Sequence, residues 1–390
     1  MQLLNVKNKS IKSENKMDFI AVNEPLLNGN EKKYLNQCID TGWISSEGPF
    51  VKEFEDKFSK KVGRKYGVAV CNGSVALDLA VLSLDLPKGS EIIMPTFTII
   101  SCAAAIIRAG LKPVLVDSDS LTWNMDVTQI EKKITKKTKA IMVVHIYGLP
   151  VDMDPILDIT KKYNLKIIED AAEAHGQVYK NKECGSFGDI SIFSFYPNKH
   201  VTTGEGGMIV TDDLALAEKC KSLRNLCFKP EKRFVHDELG FNYRMTNLQA
   251  ALGLAQLEQL DGFVIKKRAM GKLYTKLLQD LDCVQLPLPQ TGYAQNIYWV
   301  YGLLLKENIK LDAQEVMQKL QEKGVGTRPF FWCMHEQPVL KKMGLFKDEQ
   351  YPVAENLARR GFYLPSGLNL SENQVIRVCK ILKEVLNECF

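Results

Sequence analysis

Ser194-Phe-Tyr-Pro-Asn-Lys199-His-Val-Thr-Thr-Gly-Glu-Gly-Gly207 carries the most information of any stretch in this chain. Ile190, Ile192, Phe193 and Phe195 lead into it and Met208-Ile-Val210 leads out, a pattern that predicts strand, loop, strand. One lysine stands in the loop, with Gly204, Gly206 and Gly207 behind it. Glycine lets backbone pass close to a ligand and takes positive φ freely. A lysine held in such a place can lose its charge through burial and attack a carbonyl carbon. Alone, the pattern also fits a solvated lysine in a Gly-rich hairpin. What shifts the balance is upstream, at Glu169-Asp170-Ala-Ala-Glu173-Ala-His175-Gly176.

The chain has 390 residues, enough for two domains and a large core. Apolar residues make up 45% and charged residues 25%, as in ordinary globular proteins. The net charge of +5 is spread out rather than gathered in one basic block, which gives nucleic-acid binding little support. Apolar runs such as Tyr298 to Leu305 fall far short of the roughly 20 residues that span a bilayer. Met1 to Lys16 is rich in Lys, Asn and Ser and lacks the apolar core of a secretory signal. It reads as a disordered extension, with Met17 as an alternative start. The ten cysteines include no C-x-x-C pair, and Cys102, Cys220 and Cys379 sit in apolar patterns as small hydrophobes. A cytoplasmic protein without disulfides is expected. No pair of histidines has ligand spacing with a cysteine or carboxylate, so no metal site is expected.

Along the chain, helices are predicted at Glu31 to Asp40 and Val51 to Val62, with a loop at Gly42 to Pro49 between them. Tyr66 to Cys71 reads as a strand that runs through Asn72-Gly73-Ser74 directly into a helical pattern. Such a junction points free N–H groups and the helix dipole at one spot, a ready anion site. Strands at 91–97, 112–116, 139–145 and 166–169 then alternate with helices at 99–109, 126–134 and 155–163. This βαβ rhythm predicts a mainly parallel sheet flanked by helices. Ligands of such sheets gather beyond the carboxyl ends of the strands, where Asn72-Gly-Ser, Pro95-Thr-Phe-Thr98, His145-Ile-Tyr-Gly148 and Asp170 all fall. A helix at 214–224 and a loop at 225–240 follow, then a long helical pattern from Leu248 to about Leu281. The remainder predicts a strand at 297–305, helices at 313–323, 354–361 and 372–388, and an extended piece at 326–332. The expected division is an extension at 1–16, a large domain at 17–265 and a smaller α+β domain at 266–390.

A lysine in a tight loop, an acidic residue closing a buried strand and a Gly-Ser anion site together suggest pyridoxal 5′-phosphate. Here the sequence resembles the DegT/DnrJ/EryC1/StrS family of nucleotide-sugar aminotransferases, of fold type I. The resemblance runs from about Phe19 to the C-terminal helix. It rests on Gly42-Trp-Ile-Ser-Ser, Asn72-Gly-Ser-Val-Ala-Leu77, Glu169 to Gly176, Phe193 to Lys199 with Thr202 to Gly207, and Asn242-Tyr-Arg-Met-Thr-Asn247. Within the family, Asp170-Ala-Ala-Glu-Ala, Thr327-Arg-Pro-Phe-Phe331 and Asn296-Ile-Tyr-Trp299 look most like the 4-aminotransferases. The resemblance implies that Lys199 forms the Schiff base, that Asp170 meets the pyridine nitrogen and that Glu173 lies near the ring hydroxyl. It implies that Gly73, Ser74, Val75 and the Ser194 hydroxyl hold the phosphate, and that Asn242 reaches the cofactor phosphate of a partner subunit in a homodimer with shared active sites. Arg328 and His335 would face the nucleotide-linked keto-deoxysugar, with glutamate as amino donor; Trp43, an aromatic residue, could pack on a sugar or base face or equally belong to the core.

Each of these residues also has an ordinary structural reading. Asp170 could cap a helix, Glu173 could sit on a solvated face, and Asn242 and Arg244 could serve a turn and an ion pair. His145, His175 and His200 could be structural, and Arg328 and His335 plain surface residues. The sequence departs from the family at Ile99, where relatives usually stack an aromatic ring on the cofactor. An isoleucine can pack there by dispersion, or Phe97 can supply the face. The expected activity is amination at C4 of a 4-keto-6-deoxyhexose. Its alternatives are a 3-aminotransferase and, from a different class, a non-catalytic regulator on the same fold.

Overall fold

Short β-branched runs separated by helices give seven strands that join in one sheet. They are β1 (Tyr66–Val70), β2 (Glu91–Pro95), β3 (Lys112–Val116), β4 (Thr138–Val144) and β5 (Lys166–Asp170), then, after a small hairpin of β6 (Val178–Tyr179) and β7 (Lys182–Glu183), β8 (Ile190–Ser194) and β9 (Gly207–Thr211). The computed structural model describes residues 19–229 and 231–387. The strand order is β1-β9-β8-β5-β4-β2-β3. Only β9 runs antiparallel to its neighbours, so the mainly parallel sheet expected from the sequence is present.

Period-two alternation buries both faces of this sheet. Val68, Ile92, Met142, Ile168 and Ile192 point to the side of the helices Gly73–Ser83 and Ile100–Arg108. Ala69, Ile93, Ile141, Ile167 and Phe193 point to the side of Pro49–Lys61, Met153–Tyr163 and Asn247–Leu257. Because β1, β2, β4, β5 and β8 are mutually parallel, their carboxyl ends open on one edge. Residues 71–74, 96–99, 145–148 and 170–173 meet there, with the 195–206 loop between β8 and β9.

A second sheet follows, from β10 (Val284–Gln285), β11 (Tyr301–Leu305), β12 (Arg328–Pro329) and β13 (Gly361–Leu364), in the order β10-β11-β13-β12. It shares a core with the helices Ala313–Glu322, Glu372–Asn387 and Leu260–Leu278.

Several elements differ from the sequence pattern. The long helix expected over 248–281 is two helices, Asn247–Leu257 and Leu260–Leu278, joined by a turn at Glu258–Gln259. The first packs on the large sheet while Met270, Tyr274 and Leu278 of the second pack in the small core, and one straight helix could not serve both. The second helix crosses residue 265, where the sequence suggested a domain boundary. The strand expected from Ile297 starts at Tyr301, because Tyr298 takes φ +51 and Ile297 N–H bonds to Gly148 O. The extended piece at 326–332 shrinks to Arg328–Pro329, and β13, in the middle of the small sheet, begins at Gly361, the last residue of the helix expected over 354–361, and runs through residues for which no element is expected. The segment 126–134 is a 3₁₀ turn and a single α-turn. The expected extension at 1–16 and Met17 lie outside the described residues.

Glu169 locks the active edge from behind. Its carboxylate is fully buried and accepts from Gly185, Phe187 and Gly188 N–H and from the Ser191 hydroxyl, with His145 Nε2 at 3.0 Å. Burial alone would raise its pKa; the His145 bond and the N–H donors outweigh that and leave it below the usual value. A depressed carboxyl adds stability that is present above its unfolded value of 4.5 and is lost as pH falls through the folded value. Glu169→Ala is expected to cost about 3–5 kcal/mol in urea unfolding, because several buried donors lose their acceptor. Glu169→Gln should flatten the acid-side loss of stability measured by the same method.

Candidate active site

The edge formed by the strand ends encloses a cavity of about 780 Å³. Lys199, Asp170 and Glu173 line it together with Gly73, Ser74, Val75 and Ser194. Residues more than a hundred positions apart in the chain are thus gathered by the parallel sheet, as the strand-end rule leads one to expect.

The phosphate-site expectation can be tested on the backbone. The helix Gly73–Ser83 starts with Asn72 as its cap, whose Oδ1 accepts from Val75 N–H at 3.0 Å. Val75 has therefore spent its N–H inside the helix cap and contributes only wall. The N–H groups of Gly73 and Ser74, at the first two helical positions, have no intrahelical acceptor. Ser74 Oγ shares a hydrogen bond of 2.7 Å with Ser101 Oγ. A Cβ on Gly73 would come within 2.6 Å of Ser194 Cβ, so only glycine lets the helix start sit against the end of β8. Gly207 is held likewise, since its Cβ would meet Asn72 O at 2.5 Å. The result is a cradle of free N–H groups and hydroxyls at a helix N-terminus, which suits a phosphate.

Asp170 and Glu173 are both buried. Asp170 Oδ1 accepts from Ala172 N–H at 3.0 Å and Oδ2 from Cys102 Sγ–H at 3.4 Å. Burial raises the Asp170 pKa, with the Ala172 N–H and the Lys199 charge pulling the other way. Glu173 is pushed up to about 7 by burial, against the opposing pull of Lys199 and of the Tyr147 N–H bond. That bond, 2.8 Å long, comes from a residue held at φ +58. Lys199 Nζ lies 3.4 Å from Glu173 Oε1. Burial lowers its pKa and the two carboxylates oppose the shift. The donor set therefore fits the cofactor that the resemblance implies: a phosphate cradle, a buried carboxyl group for a ring nitrogen, and a lysine whose pKa burial lowers.

Other expected residues are placed elsewhere. Ile99 lines the cavity, while Phe97 is fully buried behind it among Tyr147, Phe330 and Phe331, so the aliphatic side chain holds that wall. His335 is 3% exposed and does not line the cavity. Its Nδ1 pairs with Thr96 Oγ1 at 2.9 Å and its Nε2 with Glu355 Oε1 at 3.0 Å, which makes it a tie between β2 and the C-terminal part of the chain. Arg328 is exposed on β12, opposite Tyr363, and is not part of the cavity lining, although Tyr363 is. Trp43 is 48% exposed and away from the lining. Asn242 is exposed and outside the lining as well, in a bridge with Asn225. His145, His175 and His200 are all internal. Of the described residues, His145–Glu169–Cys184 and His335–Glu336–Glu355 bring ligand-capable atoms within 4.8 Å of one another, and hydrogen bonds already engage both histidines.

The sequence reading passed over the aromatic wall formed by Trp299, Phe331, Tyr363, Tyr196 and Tyr243. Trp299 and Phe331 stand in the segments Asn296-Ile-Tyr-Trp299 and Thr327-Arg-Pro-Phe-Phe331, whose motif signal could have found them. Tyr363 gave no signal, because its strand was not recognised.

A GDP-perosamine synthase of Escherichia coli O157:H7 is 43% identical over 372 residues, covering 95% of this chain and all of that protein. A GDP-perosamine synthase of Caulobacter vibrioides is 42% identical over 369 residues, covering 94% of this chain and 98% of its own length. The crystal structure of S. venezuelae DesV in complex with a ketimine intermediate superposes with a TM-score of 0.84 at 30% identity, covering 91% of this chain and 94% of that one. Residues 25–383 match one family along nearly the whole chain, and the chain belongs to it: the DegT/DnrJ/EryC1/StrS aminotransferase family.

Proposed function

We propose that this enzyme moves an amino group from glutamate to C4 of a nucleotide-linked 4-keto-6-deoxyhexose, with a GDP-linked sugar as the leading acceptor. The observation that carries the reading is the placement of Lys199 Nζ beside Glu173 and Asp170 at the base of a cavity large enough for a cofactor and a sugar. The likeness to the two GDP-perosamine synthases supports C4 and GDP over the alternatives.

Pyridoxal phosphate, when bound, supplies an electron sink that stabilises negative charge on the carbon beside the transferred nitrogen. Gly73 and Ser74 N–H and the Ser74 and Ser194 hydroxyls would hold its phosphate. Asp170 would stand against the ring nitrogen: a buried carboxylate favours a proton there, and that cation in turn lowers the carboxyl pKa. Glu173, fixed by Tyr147 N–H, would lie by the ring hydroxyl. Lys199 Nζ, as a free amine, would take a proton from the amino-bearing carbon of the donor and deliver one to the sugar carbon that gains nitrogen. Burial favours the neutral amine that this role needs. The aromatic wall keeps water from the reacting atoms and offers apolar faces to a deoxysugar.

We also propose a homodimer with shared sites. Phe234, Val235 and Leu239 expose 81%, 53% and 93% of their surface in the segment that precedes Asn242. Large apolar side chains in that state call for a covering surface. Asn242, exposed beside them, would reach the phosphate of the second subunit's site.

Three outcomes are expected. Borohydride treatment of the holoenzyme, followed by peptide mass mapping, should place the cofactor on Lys199, and Lys199→Ala should lose both the adduct and turnover; an adduct on another lysine refutes the assignment. With GDP-4-keto-6-deoxymannose, dTDP-4-keto-6-deoxyglucose and a 3-keto sugar offered separately, NMR of the product should show nitrogen at C4, and the GDP sugar should turn over fastest. Nitrogen at C3 would move the reading to a 3-aminotransferase. Mixing Lys199→Ala with Asn242→Ala subunits under exchange should restore roughly a quarter of the wild-type sites, since half the dimers are mixed and each holds one intact site. No recovery above the parents counts against the shared site.

A further inference from the structure

Trp299 belongs to the aromatic wall, Lys267 stands behind it, and both are almost wholly buried, at 3% and 2% exposure. The face of the Trp299 indole lies under Lys199, with Nζ 3.8 Å from the ring centroid. The edge of the same ring is fixed, because Nε1–H donates to the carbonyl of Asn198 at 2.8 Å, the residue just before Lys199. The backbone is fixed too. Trp299 O accepts from Lys267 Nζ at 2.7 Å, and the same ammonium donates to Ser366 O. A Cβ on Gly148 would come within 2.6 Å of Trp299 N, so the loop after β4 closes on this segment. Among the described residues no carboxylate pairs with Lys267, whose Nζ bonds go to carbonyls, and burial brings its pKa down to about 7. A buried cation with two carbonyl acceptors and no counter-ion is costly to keep. It stands where it pins one ring.

Distances decide which contact holds Lys199. Charge-assisted N–H···O bonds run at about 2.7–2.9 Å. The Glu173 contact, at 3.4 Å, is longer than that. The indole contact is well inside the roughly 6 Å limit for a cation over a ring, and tryptophan is the strongest of the aromatic faces.

We propose that the Trp299 ring face is the seat of the free Lys199 ammonium, which makes Trp299 a catalytic residue, and that Lys267 is a positioning residue acting through the Trp299 carbonyl. The idea rests on Lys199 being the working amine of the proposed transamination. The seat keeps Nζ in the cavity whenever the amine is released, so that it stays within reach of the reacting carbons. An aromatic face favours the ammonium over the amine, so the ring opposes the lowering that burial imposes on Lys199. The other groups around Lys199 are Glu173, Asp170 and His175 on the segment after β5, His200 beside it in the loop, Tyr363 across the cavity, and Lys267 behind the ring. Burial keeps both histidines neutral near pH 7, so they add no charge that competes with the ring.

The test reads the proton on Nζ directly. Full-length protein, cofactor-free and as glutamate-treated holoenzyme, is labelled with trace acetic anhydride over a pH series, and the Lys199 peptide is quantified by mass spectrometry. Trp299→Leu should lower the Lys199 midpoint by about one unit, roughly a tenfold change in the ammonium-to-amine ratio. Trp299→Phe keeps a weaker face and should lower it by less. Lys267→Met should also lower it. Removing the Lys267 charge would by itself raise the Lys199 midpoint, so a fall separates positioning from a simple field effect. An unchanged or raised midpoint in Trp299→Leu overturns the seat; if that variant does not fold, an unchanged Trp299→Phe midpoint does so. A Lys267→Met midpoint that does not fall removes Lys267 from the proposal even if the variant melts earlier. The cofactor-free arm involves neither donor nor turnover, so a failure of the seat is told apart from a failure of the transamination reading.

Discussion

Taking the Lys199 ammonium out of water is unfavourable by several kcal/mol unless opposite charge and polarisable surface replace the solvent. The structure replaces it with Glu173 at 3.4 Å, Asp170 nearby and the Trp299 face at 3.8 Å. Those three groups come from a loop after one strand, the end of that strand and a segment of the C-terminal part. Every larger feature can be understood as the means of holding them there. Burial outweighs the two carboxylates and lowers the pKa of the lysine, the direction that a proton-transferring amine needs.

The end of β5 does two jobs because adjacent residues of a strand face opposite sides of the sheet. Asp170 points into the cavity with Ile168 and Ile192 beneath it. Glu169 points to the other side, where it fastens the 185–191 segment that leads into β8. That segment sets where β8 starts and therefore where Ser194 and the lysine loop emerge. Gly73 and Gly207 then allow the first helix of the sheet and the start of β9 to close against the same point.

The C-terminal part completes the cavity rather than sitting apart from it. Tyr147, after β4, gives its N–H to Glu173 and takes the Phe331 N–H on its hydroxyl at 3.1 Å, so one residue aligns an acid and an aromatic wall. His335, expected at the sugar, instead ties Thr96 to Glu355 and keeps that wall against the large sheet.

The strands and helices of the large sheet were legible from period and punctuation, because alternating apolar residues admit few other arrangements. Lys199, Asp170 and Ser74 are legible as candidate site residues, because they lie at or just beyond strand ends or at a helix start and their chemistry fits one cofactor; Glu173 and Ser194 enter only through the family resemblance, and all five line one cavity. The break at Glu258–Gln259 and strand β13 were not. Both are imposed by packing against distant partners, and local pattern does not encode which core a helix face will meet. Ile99 and Phe97 could not be separated from sequence either, since both are apolar and two apart; only the turn of backbone before the helix Ile100–Arg108 sends one into the cavity and the other into the core. Trp299 over Lys199 belongs to the same class. Its place depends on a buried lysine, a carbonyl beside the active lysine and a glycine after β4, which lie far apart along the chain and meet only once it has folded.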